Sequence, residues 1–130
     1  MGNEQRGFTL IELVMVIVIL GVLAAVALPK FVDLSSDAKT AAISGAAGAL
    51  SSYSSINYAA FQAKNTQSIA VTGSTPANLL IAGMASWDSN NFHVSAQGTC
   101  NSAGMTVGAT LTHSQGTSAN SAVATIICTG

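Results

Sequence analysis

Three regimes of apolar spacing follow one another along the chain. Residues 7–28 read G-F-T-L-I-E-L-V-M-V-I-V-I-L-G-V-L-A-A-V-A-L, an apolar run whose one charge, Glu12, stands near its start. A helix rising about 1.5 Å per residue would carry residues 8–28 across roughly 30 Å, the thickness of a bilayer's hydrocarbon core. Beyond Pro29 the pattern turns amphipathic, with Phe31, Leu34, Ala38, Ala42, Ala46, Ala49, Tyr53, Ile56 and Ala60 at helical spacing. This predicts a helix continuing to about Ala63, on the order of 80 Å in all, with a narrow apolar face along its second half. Past Lys64 the pattern changes again. Residues 92–97, 105–113 and 122–128 are rich in Val, Thr and Ile and are separated by Gly, Ser and Asn clusters, as short strands are.

The expected fold class is therefore α+β: a long N-terminal α-helix, membrane-spanning in its first half and amphipathic in its second, packed on a small antiparallel β-sheet head. Four segments result: residues 1–7 as a removable leader, 8–28 as the spanning helix, 29–63 as its amphipathic continuation, and 64–130 as connecting loop and head. Within the connecting region, Thr75 and Pro76 read as N-cap and first turn of a short helix through about Met84. Trp87 and Phe92 are expected to pack that region against the sheet. Residues 44–49, S-G-A-A-G-A, place two glycines inside the long helix at about 1 kcal/mol each relative to Ala. Close approach by the sheet or by a neighbouring molecule would compensate; a merely weak helix is the alternative.

Glu12 calls for a partner, because a charge inside such a span costs about 2.5 to 3.5 kcal/mol on insertion scales. A cut before Phe8 would supply a positive one, since the new α-amino group would lie about one helical turn away on the same side. The preceding M-G-N-E-Q-R-G is polar and ends in Gly, which leaves the peptide bond open to a protease. A secretory signal cut after the small-x-small triplet Ala25-Val26-Ala27 accounts less well for the run, which exceeds the usual apolar length of about 7 to 15 residues. A plain membrane anchor accounts for the length and leaves Glu12 without a role.

With Gly7-Phe8-Thr9-Leu10-Ile11-Glu12 followed by an apolar helix, the sequence resembles the type IV pilin superfamily. The likeness is strong over residues 7–29. From Lys30 to Tyr58, in P-K-F-V-D-L-S-S-D-A-K, Leu50 and Tyr58, it is nearest to the mannose-sensitive haemagglutinin type of pilin. The resemblance implies the type IV pilin fold, cleavage between Gly7 and Phe8 by prepilin peptidase, methylation of the Phe8 amino group, and assembly guided by Phe8 and Glu12. It also implies looser helix at Gly21 and Pro29. The partners implied are other pilin subunits, the peptidase and an inner-membrane assembly platform. The implied route runs from a single-pass inner-membrane precursor with its head in the periplasm to an extracellular pilus.

Composition narrows the function. Only 7% of residues are charged against 49% hydrophobic, with net charge −1, nearer to membrane or assembly proteins than to soluble enzymes. Cys100 and Cys128, the only cysteines, suggest one disulfide made outside the cytoplasm, which many pilins also carry. Closing that loop is worth roughly 3 to 4 kcal/mol in the chain-entropy model. Zinc would need ligands beyond His93 and His113, so neither metal nor cofactor is expected. No phosphate loop or nucleophile motif occurs, and Asp33 and Asp37, near Lys30 and Lys39, read as a solvated helix face. An enzyme is not expected. Beyond Lys64 the only charged side chain is Asp88, which leaves a head unable to neutralise many phosphates and excludes nucleic-acid binding. An aromatic content of 5% speaks against an electron-conducting fibre. The reading is a major structural subunit of a type IV pilus serving adhesion, surface attachment or motility. The alternative is a type II secretion pseudopilin forming a short periplasmic fibre.

Overall fold

Five elements follow in chain order: α1 (Leu10–Gln62), α2 (Pro76–Gly83), β1 (Phe92–Gln97), β2 (Thr106–His113) and β3 (Ser121–Ile127). The structure is a computed structural model that describes residues 7–114 and 120–130; the expected leader, apart from Gly7, lies outside them. The chain divides into two compact units, Met1–Ser35 and Ser36–Gly130.

In the first unit the helix begins at Leu10, and its apolar stretch, long enough to cross a membrane, is 0% buried. Leu10, Leu13, Ile17, Leu20 and Leu23 all stand exposed. Helical assignment continues through Gly21 and Pro29, although Pro29 can donate no backbone hydrogen bond.

The second unit is an antiparallel sheet in the order β1-β2-β3, covered on one face by the remainder of α1. Its core joins Ile43 and Leu50 of α1 to Val71, Leu80, Leu111 and Ile126, with Ala109 and Ala124 between them. The strands alternate as a sheet with one solvated face should: Ala109 and Leu111 point inward from β2, Ala124 and Ile126 from β3, while Val123 and Thr125 face out. β2 begins at Thr106 rather than at residue 105, because the Cys128 carbonyl accepts from the Gly104 N–H (2.8 Å) while the Met105 N–H turns back to Ser102 (3.4 Å), which breaks the regular pairing. β3 is shifted one residue toward the N-terminus of its expected range, with Ser121 paired to Thr112. Cys128 leaves the ladder to bond Cys100, and both are buried.

The buried face of α1 differs from the expected one. Ile43, Ala47, Leu50, Ser54 and Asn57 face the core, while Ala42, Ala49 and Ile56 are exposed. The stripe is thus turned by one residue, and the reason is that its last two members are polar. Ser54 Oγ accepts from the Ile127 N–H (2.7 Å), and Ser51 Oγ accepts from the Thr125 N–H (2.9 Å) while donating to the Ala47 carbonyl (2.8 Å). Asn57 donates to the Ile69 carbonyl (2.9 Å) and accepts from the Ile69 N–H (2.7 Å). The two serine bonds satisfy donors of the edge strand β3, and the Asn57 pair does the same for the loop at Ile69. Ahead of β3, Asn120 donates to Ser36 and to Thr40 Oγ1 (2.9 Å), holding the sheet to the same helix.

α1 ends in a Schellman turn, with Asn65 N–H on the Ala60 carbonyl (2.9 Å), Lys64 N–H on that of Phe61 (2.9 Å), and Lys64 at φ 53°. α2 starts at Pro76 as expected for a proline in a first turn. Thr75, however, makes no side-chain cap. The cap comes instead from β1, where Gln97 Oε1 accepts from the Ala77 N–H (2.8 Å). A bulge between Val94 and Ala96 shifts the alternation of β1 and brings Gln97 to that side. At the end of α2, a Cβ on Gly83 would overlap the Ile69 side chain, and the Gly83 carbonyl accepts from Tyr53 Oη (3.1 Å).

Trp87 and Phe92 pack against the core with ring centroids 6.1 Å apart. Between them Asp88 closes a turn. Its carboxylate accepts from the Asn91 side-chain amide (2.6 Å) and the Asn90 N–H (3.1 Å). The Asn91 side-chain amide, outweighing the desolvation that is next in size and acts the other way, and then the Asn90 and Asn91 backbone N–H groups and the nearby His113, hold the carboxyl below its ordinary value of 3.8.

Two outcomes follow. Replacing Ser54 with Ala strands the Ile127 N–H in the core and should destabilise the head by about 1 to 3 kcal/mol. The exposed Ser52→Ala control should stay within about 0.5 kcal/mol, both read by chemical denaturation through Trp87 fluorescence. A depressed Asp88 value means that its contribution is present above the ordinary value and lost as pH falls through the lower folded one. Stability should therefore decline below about pH 4, and Asp88→Asn should flatten that acid limb in the same assay.

Candidate functional site

The N-terminal end of α1 is built from Gly7, Phe8, Thr9 and Glu12. Gly7 and Phe8 precede the helix without regular structure, and Phe8 is 89% exposed. Thr9 is the N-cap: its carbonyl accepts the first helical bond, from the Leu13 N–H at 3.3 Å. Its side chain and that of Glu12 then form a reciprocal pair. The Glu12 N–H donates to Thr9 Oγ1 (3.3 Å), and the Thr9 N–H donates to Glu12 Oε2 (2.8 Å). Thr9 Oγ1 also donates to the same carboxylate oxygen (2.7 Å). This is a capping box, in which Thr-x-x-Glu satisfies two orphan N–H groups of the first turn.

Glu12 was expected to await a positive partner, and here two donors of its own helix already engage one of its oxygens. The carboxylate also lies where the helix dipole favours negative charge. The arrangement reduces the desolvation burden of a carboxylate in apolar surroundings while leaving its charge in place. It also sets the helix start at Leu10, so that the Gly7–Phe8 bond stays in exposed, non-helical chain. Thr9 is the member that sequence reasoning passed over, although its spacing from Glu12 ahead of an apolar run is a recognised helix-start signal.

Of the other expected residues, Gly21 and Pro29 stand within the helix away from this cluster, with nothing within 4 Å of where a Gly21 Cβ would lie. Cys100 and Cys128 form the disulfide of the head. Among the described residues, no three His, Cys, Asp or Glu side chains group as a metal site.

Residues 2–28 match the family model of the prokaryotic N-terminal methylation motif. The chain is 56% identical over 43 residues to the type IV major alpha-pilin of Moraxella bovis, covering 33% of this chain and 27% of that one. It is 51% identical over 49 residues to the major component of the type IV narrow pilus of Thermus thermophilus, covering 38% and 42%. Over the matched residues the chain is similar to type IV pilins. The type IV major pilin of Neisseria gonorrhoeae gives 56% identity over 39 residues, 30% of this chain and 24% of that relative. The matched region thus spans well under half the length of these relatives. No solved structure matches the chain.

The capping box generates its own test. Thr9→Val should cost the helix start about 1 kcal/mol, raising amide exchange at residues 9–13 about fivefold in lipid nanodiscs, whereas Thr9→Ser should leave it unchanged.

Proposed function

We propose that this chain is the major subunit of a type IV pilus, made as an inner-membrane precursor with its head in the periplasm. Prepilin peptidase cuts between Gly7 and Phe8 and the new Phe8 amino group is methylated. The helix of residues 8–28 then leaves the bilayer, through the inner-membrane assembly platform, for an equally apolar filament core made of other copies. The observation that carries this reading is the Thr9–Glu12 capping box, placed one residue after an exposed Gly7–Phe8 bond and at the head of an apolar helix with no internal cover.

Lipid and a core of neighbouring helices are similar solvents for Leu, Ile and Val. The helix therefore gains little from apolar burial alone when it changes place. Glu12 supplies the difference. In lipid the carboxylate has only the donors of its own Thr9, whereas beside a neighbouring subunit it meets the Phe8 amino group and is neutralised. Correct docking is favoured because an ion left unpaired in an apolar medium is expensive. Gly21, with open space around its Cα, and Pro29, which withholds one helix hydrogen bond, are where the helix yields as copies pack. The uncharged, Ser- and Thr-rich head forms the coat, for surface attachment or motility.

Intact-mass and N-terminal analysis of fibres sheared from cells tests the whole reading. The expected result is a dominant protein that begins at methylated Phe8 and lacks two hydrogens for the Cys100–Cys128 bond. Glu12→Val should give a processed, membrane-held chain and no fibres. A processed chain that stays in the envelope would point to a secretion pseudopilin, and normal fibres from Glu12→Val would overturn the mechanism.

A further inference from the structure

The head carries an open apolar hollow of about 270 Å³, lined by Gly45, Ala46 and Ala49 of α1 on one side and by Met84, Trp87 and Phe92 on the other. It is smaller than the roughly 300 to 1,000 Å³ usual for small-molecule sites and suits one large side chain. Among the described residues nothing lies within 4 Å of where a Gly45 Cβ would stand. That glycine, unfavourable inside a helix, is therefore not explained by packing within the chain. At the rim sits Asp88, the only charged side chain after Lys64. The occupant should then be apolar, of single-side-chain size, and accompanied by a cation.

One segment of the chain has these properties. Phe31 and Leu34 are 68% and 62% exposed, three residues apart on α1, and Lys30 lies one turn before Leu34 on the same side. They lie just beyond the apolar run of residues 8–28, so a core made of those runs leaves them uncovered. We propose that the hollow receives Phe31 of a second copy of this chain, with Lys30 of that copy facing Asp88. This rests on the filament reading above and adds a head-to-helix contact to the packing of the apolar helices. Each oxygen of the Asp88 carboxylate keeps acceptor capacity beyond its turn bonds, and both partners are carried by every subunit, so the contact repeats along a fibre as a head-to-tail interface does.

The test places p-benzoylphenylalanine at position 31, where the side chain is exposed, in fibres mixed from ordinary and ¹⁵N-labelled full-length subunits. Irradiation should join position 31 to residues 42–49 or 84–92 of a differently labelled copy. Asp88→Asn, which keeps an acceptor for the turn, should lower the yield by about threefold, the range of an exposed ion pair. Gly45→Leu fills the hollow from a position with open space and improves helix propensity, so the head should fold, still form its disulfide, and lose the cross-link. Cross-links to lipid, to another protein, to residues 8–28 of neighbours or within one copy would overturn the proposal, as would an undiminished yield in Gly45→Leu. If the unaltered chain forms no fibres, the filament reading fails and takes this contact with it. Fibres without the cross-link defeat the contact alone.

Discussion

An apolar helix with none of its surface buried in its own molecule must be covered by something else, and the rest of this protein follows from that constraint. Water is a poor medium for such a surface, and lipid or other apolar helices would cover it. Exchanging one cover for the other is nearly neutral for the aliphatic side chains. In the proposed assembly Glu12 would turn that neutrality into a preference, with the capping box of Thr9 holding the carboxylate until then. The second unit must then fold on its own resources, using one face of the same helix.

It does so with hydroxyl and amide groups as much as with apolar ones. Along the buried stripe of α1, Ile43, Ala47 and Leu50 give way to Ser54 and Asn57 as the sheet edge and the loop after α1 come against the helix. A sheet laid along a helix presents its last strand's unpaired N–H groups to that helix, and short side chains that accept a hydrogen bond can close them without holding the backbones apart. Ser51 and Ser54 meet both conditions. The disulfide ties the end of β3 to Cys100, and with the Gly73–Cys100 bridge it secures the chain from Gly98 to Met105, which lies outside the named strands.

This construction explains where the amino-acid pattern was readable. The spanning run, the order of helix and strands, and the pairing of the only two cysteines rest on signals of large amplitude: length, periodicity and redox setting. The face of α1 that is buried was misplaced because hydrophobicity marks neither Ser54 nor Asn57 as core, and because alanines on the exposed side imitate an apolar stripe. Thr75 looked like the cap of α2, yet Gln97 takes that role through a bulge in β1, a tertiary bond that no local pattern encodes. Thr9 was a different omission. Its spacing from Glu12 was visible, and attention to the charge obscured the hydroxyl beside it.

The partly closed margin of β3 would have a consequence in the proposed fibre, where heads would stand side by side at very high local concentration. Crowded sheets with open edges are prone to join strand to strand into cross-β stacks, which form slowly and seldom come apart. In this head the Thr125 and Ile127 N–H groups end on serine hydroxyls, and β1, at the other edge, carries a bulge. Crowded heads would therefore find less of a template for amyloid-like fusion, and contact between neighbours would fall more to side chains, whose bonds can be made and released one at a time.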